Sequence, residues 1–195
     1  MNGHKIVNQG EMHFVTFTVV GWIDVFTRDV YCKIIIDSLN HCIEQKGLEI
    51  HAYVIMSNHM HLILSTPENS NLSDVIRDFK TYTAKSILTR IKESKIESRR
   101  EWMLKLFKHF AKDNTRNDQF QFWQQYNKPI ELVSTKWTMQ KLAYIHLNPV
   151  RAGIVVCAED YIYSSARDYI DNTFKGAIKI KQLEIPGSFE GLVTT

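Results

Sequence analysis

The chain has 195 residues and a formal net charge of +3 at pH 7, and 44% of its residues are hydrophobic while 23% are charged. This length suits one compact domain better than two domains and a linker. Cys32, Cys42 and Cys157 form no CxxC pair, which argues against a disulfide framework and a cysteine zinc site. Without a signal-like N-terminus or an apolar run of about 20 residues, the sequence predicts a cytoplasmic protein with no membrane span.

The first half of the sequence predicts a strand, a helix, a hairpin and a second helix. Residues His13–Val20 are rich in β-branched and aromatic side chains, and Arg28–Gln45 carries apolar residues at helical spacing. Two short apolar runs, Leu48–Met56 and His59–Ser65, are separated only by Ser-Asn, which predicts an antiparallel hairpin. Asn71 can then serve as the N-cap of a long amphipathic helix.

The second half predicts a basic helix, a fourth strand and a last helix. The helix is expected over Lys95–Lys112, and Gln119–Gln124 alternates polar and apolar residues as a half-buried strand does. Ser134 or Thr135 can cap a helix that runs to Leu147.

Asn148-Pro149 is expected to end this last helix, because a residue before proline disfavours the α region. Beyond it, only Ile154–Val156 and Ala177–Ile180 are weakly strand-like.

The order β-α-β-β-α-β, followed by another helix, matches the connectivity of a ferredoxin-like α+β sandwich, with helices covering one face of an antiparallel sheet. We expect a single domain over residues 1–195. It would comprise a core at about 13–155, an inserted basic helical segment within that core, and a C-terminal extension at about 156–195.

Positive charge is concentrated between Arg77 and Arg116, where twelve Lys or Arg accompany only five Asp or Glu. A cationic surface attracts polyanions such as nucleic acid. A solvated helix with ion pairs one turn apart explains the same charge, so the charge alone does not decide. The candidate DNA contacts are Lys80, Lys85, Arg99, Arg100, Lys105, Lys141 and Trp123.

His59 and His61 alternate on a predicted strand, so their side chains leave the same face, with Cα atoms about 6–7 Å apart. Two imidazoles in this arrangement can share a metal ion. An isolated His-x-His pair is more often not a metal site, so the interpretation depends on further ligands.

The last helix offers these partners, because Lys141, Tyr144 and Asn148 share one stripe with Trp137. If this stripe docks beside the histidines, a phenol nucleophile and a carboxamide ligand would meet the ion. Mg²⁺ or Mn²⁺ would suit phosphodiester chemistry by placing positive charge on the non-bridging oxygens. The simpler alternative is that Tyr144 is a boundary core residue and Asn148 a helix cap.

The segment Tyr53–Leu64 (YVIMSNHMHLIL) contains a His-Met-His sequence that resembles the HUH motif of single-tyrosine transposases. Three further blocks, Phe79–Ile87, Phe122–Gln124 and Tyr144–Gly153, resemble those of the REP-associated tyrosine transposases. The resemblance covers roughly His13–Tyr169, with its blocks in the family order.

This resemblance implies a ferredoxin-like fold and cleavage of hairpin-bearing or palindromic single-stranded DNA, with a 5′-phosphotyrosine intermediate and a free 3′-hydroxyl. It implies that His59, His61 and Asn148 are metal ligands and that Tyr144 is the nucleophile. Related insertion-sequence transposases commonly have Gln where this chain has Asn148. His146, on the opposite side of the helix, is expected to be structural.

The same resemblance suggests a nucleoid-associated protein and admits a homodimer with composite active sites. Two other functions fit the residues. One is a non-catalytic nucleic-acid-binding protein, such as a domesticated transposase. The other is a metal hydrolase in which water attacks and Tyr144 is idle.

Overall fold

A four-stranded antiparallel sheet lies at the centre of the protein, in a computed structural model that describes residues 6–112, 119–171 and 173–184. The strand order is β2-β3-β1-β4. The elements are β1 (His13–Thr18), α1 (Asp29–Lys46), β2 (Glu49–Ile55), β3 (His59–Ser65), α2 (Leu72–Glu93), α3 (Arg100–Ala111), β4 (Ile130–Glu131), α4 (Thr135–Arg151) and α5 (Ala166–Ile170).

Side chains that alternate along β3 enter two separate hydrophobic cores. Met60 and Leu62 pack in the larger core with residues of α1 and α2. Ile63 points the other way and packs with Leu142 and Ile145 of α4. The predicted ferredoxin-like fold is therefore confirmed, with α1 and α2 on one face, but α4 covers the second face that the sequence prediction left without a helix.

Two predicted helix caps are present. The Asn71 side chain accepts a hydrogen bond from Asp74 N at the start of α2, and the Ser134 side chain accepts one from Trp137 N at the start of α4. Each cap satisfies a backbone N–H that has no partner within its helix.

The prediction of a strand over Gln119–Gln124 is wrong. Phe122 and Trp123 are buried in the larger core, and Trp123 forms only an isolated bridge with Val19. The alternation reflects burial of Phe122 against Phe107 of α3, whose ring centroid is 5.3 Å away, rather than membership of the sheet. Gln124 N donates to Thr18 O at the end of β1, but the regular pairing on this side of β1 is formed by β4, with His13 and Phe14.

The last helix extends beyond its predicted end, because α4 continues through Pro149 to Arg151. Proline removes one backbone donor, but the following turn closes with bonds from Gly153 N to Val150 O and from Ile154 N to Pro149 O. Gly153 has φ +69°, the left-handed conformation that ends helices in this pattern. The glycine, rather than Asn148-Pro149, therefore terminates the helix.

The C-terminal segment packs along the outer edge of β2 without forming the two predicted short strands. Ser164 forms an isolated bridge with Val54, and Lys181 N donates to Ile50 O. Ile178 is fully buried in the larger core. This segment therefore covers an edge strand that would otherwise expose unpaired backbone groups.

No helix within the described residues is both long and apolar enough to cross a membrane.

A buried carboxylate anchors the turn that precedes α3, which begins at Arg100 rather than at the predicted Lys95. Glu97 forms ion pairs with Arg28 Nε at 2.8 Å and with Arg99 Nε at 3.1 Å. Its side chain is fully inaccessible to solvent. The Tyr31 hydroxyl also donates to Glu97, at 3.2 Å. The inserted segment is thereby tied to the start of α1.

We predict that Glu97→Gln lowers the free energy of unfolding at pH 7 by about 2 kcal/mol. Removing one partner of a fully buried ion pair costs about 3–5 kcal/mol. Here the two arginines remain partly solvated, with 38% and 31% of their side chains exposed, which reduces the loss. Urea unfolding measures the difference.

The pH dependence of this difference has a defined sign. Burial alone would raise the pKa of Glu97, but the hydrogen bonds and charges of Arg99 and the charge of Arg28 lower the pKa below its usual range. The stabilisation is therefore complete above the unfolded pKa of about 4.3 and is lost as the pH falls through the lower folded pKa. Glu101→Gln, at a side chain that is 91% exposed, is the matched control and should change stability by less than about 0.5 kcal/mol. An equal effect of both variants would contradict the prediction.

Candidate active site

The two histidines of β3 lie side by side on the face of the sheet that α4 covers. Their ring centroids are 4.8 Å apart. On the neighbouring strand β1, His59 pairs with Thr18 and His61 pairs with Thr16. His61 is only 5% exposed, although it lies just after a hairpin turn.

Each imidazole is oriented through its Nδ1 atom. His61 Nδ1 lies 2.8 Å from Thr16 Oγ1, and His59 Nδ1 lies 2.8 Å from Asn58 Oδ1. The amide of Asn58 is itself fixed, because its Nδ2 donates to Asp24 Oδ1 at 2.8 Å. The carbonyl oxygen of Asn58 can only accept, so His59 Nδ1 donates and the Nε2 lone pair of His59 remains available to a ligand.

Burial keeps both imidazoles neutral. Desolvation lowers the pKa of His59. The pKa of His61 falls to about 3, first through desolvation and then through the charges of His59 and Lys141. Neutral imidazole is the form that binds a metal ion, whereas so low a pKa makes His61 a poor proton acceptor at neutral pH.

The helix α4 brings Tyr144 to this pair within the same chain. Leu142 and Ile145 anchor the helix in the smaller core, and Tyr144 packs against that core from the partly exposed side. The Tyr144 hydroxyl is 3.5 Å from His61 Nε2, and the two ring centroids are 5.1 Å apart. The phenol therefore points at the imidazole nitrogen that is not held by Thr16.

Cations surround the Tyr144 ring. Lys141 Nζ is 5.5 Å and the Arg151 guanidinium carbon 5.8 Å from the ring centroid. Along this side of α4 runs a cleft of about 500 Å³, lined by Lys136, Lys141, Arg151, Gln140 and apolar residues but by no acidic side chain among those described. The cleft therefore presents net positive charge beside the phenol.

Asn148 lies one turn beyond Tyr144 on α4 and is partly buried. Within the described residues, no hydrogen bond holds its side-chain amide, and none links that amide to His59 or His61. The structure thus places Asn148 on the expected helix, one turn from Tyr144, without a hydrogen bond to the histidine pair.

His146 faces the interior, as expected for a structural residue. It is fully buried, its Nε2 lies 2.8 Å from Ser165 Oγ, and burial lowers its pKa to about 3. Ser165 in turn bonds to the backbone of Tyr53 on β2. This contact fixes α4 against the sheet two residues from Tyr144.

Two of the predicted DNA contacts have structural roles instead. Lys80 Nζ is enclosed and donates to Gln124 O at 2.7 Å and to Asn127 Oδ1 at 2.6 Å, and desolvation lowers its pKa to about 8. Trp123 is only 5% exposed, and its Nε1 donates to Thr83 Oγ1 at 3.0 Å. Neither side chain is available to stack on a base or to pair with a phosphate.

The four basic candidates on α2, on α3 and at the start of α3 are exposed on other elements or are already paired. Lys85 is exposed on α2, which covers the opposite face of the sheet. Arg99 is paired with Glu97, and Arg100 makes a longer ion pair with Glu101 at 3.8 Å. Lys105 is exposed on α3. Of the predicted DNA contacts, only Lys141 lies beside Tyr144.

Sequence reasoning missed three residues near the site. Arg151 lies two turns beyond Tyr144, and ending the helix at Leu147 concealed this relation. Lys136 is in the first turn of α4 and lines the same cleft. Trp22 is 60% exposed, and its ring centroid is 5.8 Å from that of His59. Sequence alone does not distinguish an exposed tryptophan just after a strand from one in the core.

We predict that Lys80→Ala lowers the free energy of unfolding by about 1–2 kcal/mol, because it leaves two partly buried acceptors without their donor. Lys85→Ala is the matched control, since Lys85 is exposed on the same helix and should change stability by less than about 0.5 kcal/mol. Thermal or urea unfolding compares the two variants. If Lys80→Ala were as stable as the parent protein, Lys80 would again be a candidate DNA contact.

The chain also matches a known protein family. Residues 6–126 match the model of the family described as "Transposase IS200 like", which is more than half of the chain. The matched region contains both histidines but ends before α4, so the position of Tyr144 rests on the structure. None of the curated proteins matches the chain.

Among solved structures, the chain is similar to a REP-associated tyrosine transposase bound to a REP hairpin, with a TM-score of 0.63 and 18% identity over 95% of each chain. At this identity the likeness shows the fold alone. It is also similar to a candidate transposase from Deinococcus radiodurans R1, with 20% identity over 74% of this chain and 95% of the other. The TM-score of this second match is 0.43, which is too low to support a shared fold. The match to the family model shows that the chain belongs to the IS200-like transposase family.

Proposed function

We propose that this transposase is a metal-dependent enzyme that cleaves and rejoins hairpin-bearing single-stranded DNA through a covalent bond to Tyr144. The observation that carries the proposal is the 3.5 Å distance from the Tyr144 hydroxyl to His61 Nε2, with His59 beside it in the same chain. A phenol and two neutral imidazoles therefore follow one another on the face of the sheet that α4 covers, where a phosphate could bridge them.

The residues present fit a divalent ion. His59 and His61 would hold it through their Nε2 atoms, because their Nδ1 atoms are engaged by Asn58 and Thr16. No group of three or more His, Cys, Asp or Glu in the described residues could hold a metal ion. Asn148, on the same helix as Tyr144, is the candidate for a third ligand through its carboxamide oxygen. When bound, Mg²⁺ or Mn²⁺ would place positive charge on the non-bridging phosphate oxygens.

In the proposed chemical step, Tyr144 attacks the scissile phosphate. Its phenolic oxygen forms a bond to phosphorus while the bond from phosphorus to the 3′ oxygen breaks, which leaves a 5′-phosphotyrosine and a 3′-hydroxyl. The phenol releases its proton to water, and the departing 3′ oxygen takes a proton from water. Attack of a 3′-hydroxyl on the phosphotyrosine reverses the step and rejoins DNA.

Lys141 and Arg151 would stabilise the two negatively charged groups of this step, the phenolate and the phosphate. Each lies within 6 Å of the Tyr144 ring, so each stabilises the phenolate and the phosphate that it attacks. With Lys136 they make the cleft beside α4 the proposed path of the DNA backbone. The likeness to a transposase bound to a REP hairpin supports hairpin-bearing DNA as the substrate.

We predict that incubation with a hairpin oligonucleotide and Mn²⁺ gives a covalent protein–DNA adduct, and that Tyr144→Phe abolishes it. Phenylalanine keeps the ring packing but removes the attacking oxygen. Denaturing gel electrophoresis of labelled DNA detects the adduct. Tyr82→Phe is the matched control, because Tyr82 is 61% exposed on α2 and should leave the adduct yield unchanged.

The alternatives give different results in the same assay. An adduct that survives Tyr144→Phe would remove Tyr144 from its role. Multiple-turnover cleavage without protein-linked DNA would favour a metal hydrolase. Binding that persists when His59 and His61 are both replaced by Ala and metal is chelated, with no cleavage by the parent, would favour a non-catalytic nucleic-acid-binding protein.

We predict that the protein binds Mn²⁺ and that His59→Ala or His61→Ala abolishes binding, as measured by isothermal titration calorimetry without DNA. Asn58→Ala should weaken affinity about 10- to 100-fold, because the group that orients a ligating imidazole is lost. His109→Ala, at an exposed position on α3, is the matched control and should bind normally. If His61→Ala bound Mn²⁺ as tightly as the parent, the proposed metal site would be wrong.

A further inference from the structure

Trp22 is an exposed aromatic side chain at the edge of the candidate active site. Its ring centroid is 5.8 Å from that of His59, in an edge-to-face arrangement, and 60% of the residue is exposed within the described part of the chain. The rings of Trp22, His59, His61 and Tyr144 follow one another at centroid distances of 5.8, 4.8 and 5.1 Å. The indole therefore continues the row of rings outward from the phenol into solvent.

The backbone at this position is held in an uncommon conformation. Trp22 has φ +55° and follows Gly21 at φ +62°. Left-handed conformations are costly for bulky residues, and they persist where surrounding contacts impose them. Burial of the indole does not compensate for this cost, because most of the side chain faces solvent.

The surrounding contacts come from the inserted segment. A Cβ atom on Gly21 would lie only 2.5 Å from Cε2 of Phe110, so the α3 side chain packs directly against the Gly21 backbone. Arg99 Nη1 donates to Asp24 O at 2.6 Å. The Trp22 turn is thus supported by Phe110 of α3 and by Arg99, the residue before α3.

The same turn also orients a histidine of the site. Asn58 Nδ2 donates to Trp22 O at 3.3 Å and to Asp24 Oδ1 at 2.8 Å, while Asn58 Oδ1 contacts His59. The position of the indole is therefore coupled to that of the imidazole beside it. A ligand that rests on Trp22 would lie next to the group that His59 binds.

We propose that Trp22 stacks on an unpaired nucleobase adjacent to the scissile phosphate, and that α3 is the support that holds it there. The proposal rests on the proposed function, because it takes single-stranded DNA as the ligand. A flat, exposed indole offers a base the face-to-face contact on which single-strand recognition depends, whereas it offers a phosphate no charge. Trp22 acts by positioning the strand and takes no part in the chemical step.

The experiment measures binding alone, in a Tyr144→Phe background with Mn²⁺ present. The ligand is a fluorescein-labelled DNA hairpin with single-stranded extensions, and fluorescence anisotropy gives the Kd. Trp22→Ala should raise the Kd about 10-fold, within the range found when a stacking aromatic is removed. Trp22→Phe should retain most of the affinity, and Trp22→Leu, which is apolar but has no ring, should not.

The matched control is Trp102→Ala. Trp102 is 52% exposed on α3 and should leave the Kd unchanged. Because the Trp22 backbone is left-handed, Trp22→Gly should keep or raise the urea midpoint of unfolding while it weakens DNA binding as much as Trp22→Ala does. This combination separates loss of a contact from loss of the fold.

Abasic substitution locates the partner of Trp22. Replacing the bases of each extension one at a time should reveal a position at which the parent loses about 10-fold in affinity and Trp22→Ala loses no more. Equal Kd values for the parent and Trp22→Ala, or equal losses at every abasic position in both proteins, would overturn the proposal. Absence of hairpin binding by the parent would overturn both this proposal and the proposed function, whereas binding without adduct formation by the unmutated chain would overturn only the latter.

Discussion

The apolar contact between α4 and the second face of the sheet is the interaction on which the candidate site depends. Leu142 and Ile145 are fully buried against residues of β1, β2 and β3, and burial of each side chain contributes about 1.5–3 kcal/mol. The buried stripe determines which side of α4 faces the sheet. The hydrogen bond between the buried His146 and Ser165 adds a directional contact, and the residue two positions earlier, Tyr144, lies beside His61.

The histidine pair shows how a buried polar site is stabilised without charge. Desolvation disfavours the protonated imidazoles, so the pair is folded in its neutral form. The remaining cost, that of burying polar nitrogens, is offset by the hydrogen bonds that the two imidazoles form with Thr16 and Asn58. These same bonds fix the orientation of both rings and leave the Nε2 atom of His61 facing the Tyr144 hydroxyl.

The sequence allowed prediction of what depends on local periodicity. A period of two placed His59 and His61 on one face, and the cap at Ser134 with the helical stripe placed Tyr144 on a helix. Contacts between distant segments were not predictable in this way. The periodicity of α2 marks its buried side, but it does not show that the loop after Trp123 covers Lys80. The rule for residues before proline was likewise outweighed by the turn that closes at Gly153, which concealed Arg151.

The inserted basic helix illustrates why charge is weak evidence for a binding surface. Its apolar side packs on the core and on the turn at Gly21, and the turn before it is anchored by the buried Glu97. Its basic side chains remain exposed because a helix that packs on one side must leave its other side in water. The cations within 6 Å of the Tyr144 ring, Lys141 and Arg151, belong instead to α4, whereas the segment with the greatest positive charge contacts the turn that carries Trp22. Contacts of Phe110 and Arg99 with this turn can offset the cost of the left-handed conformation of Trp22.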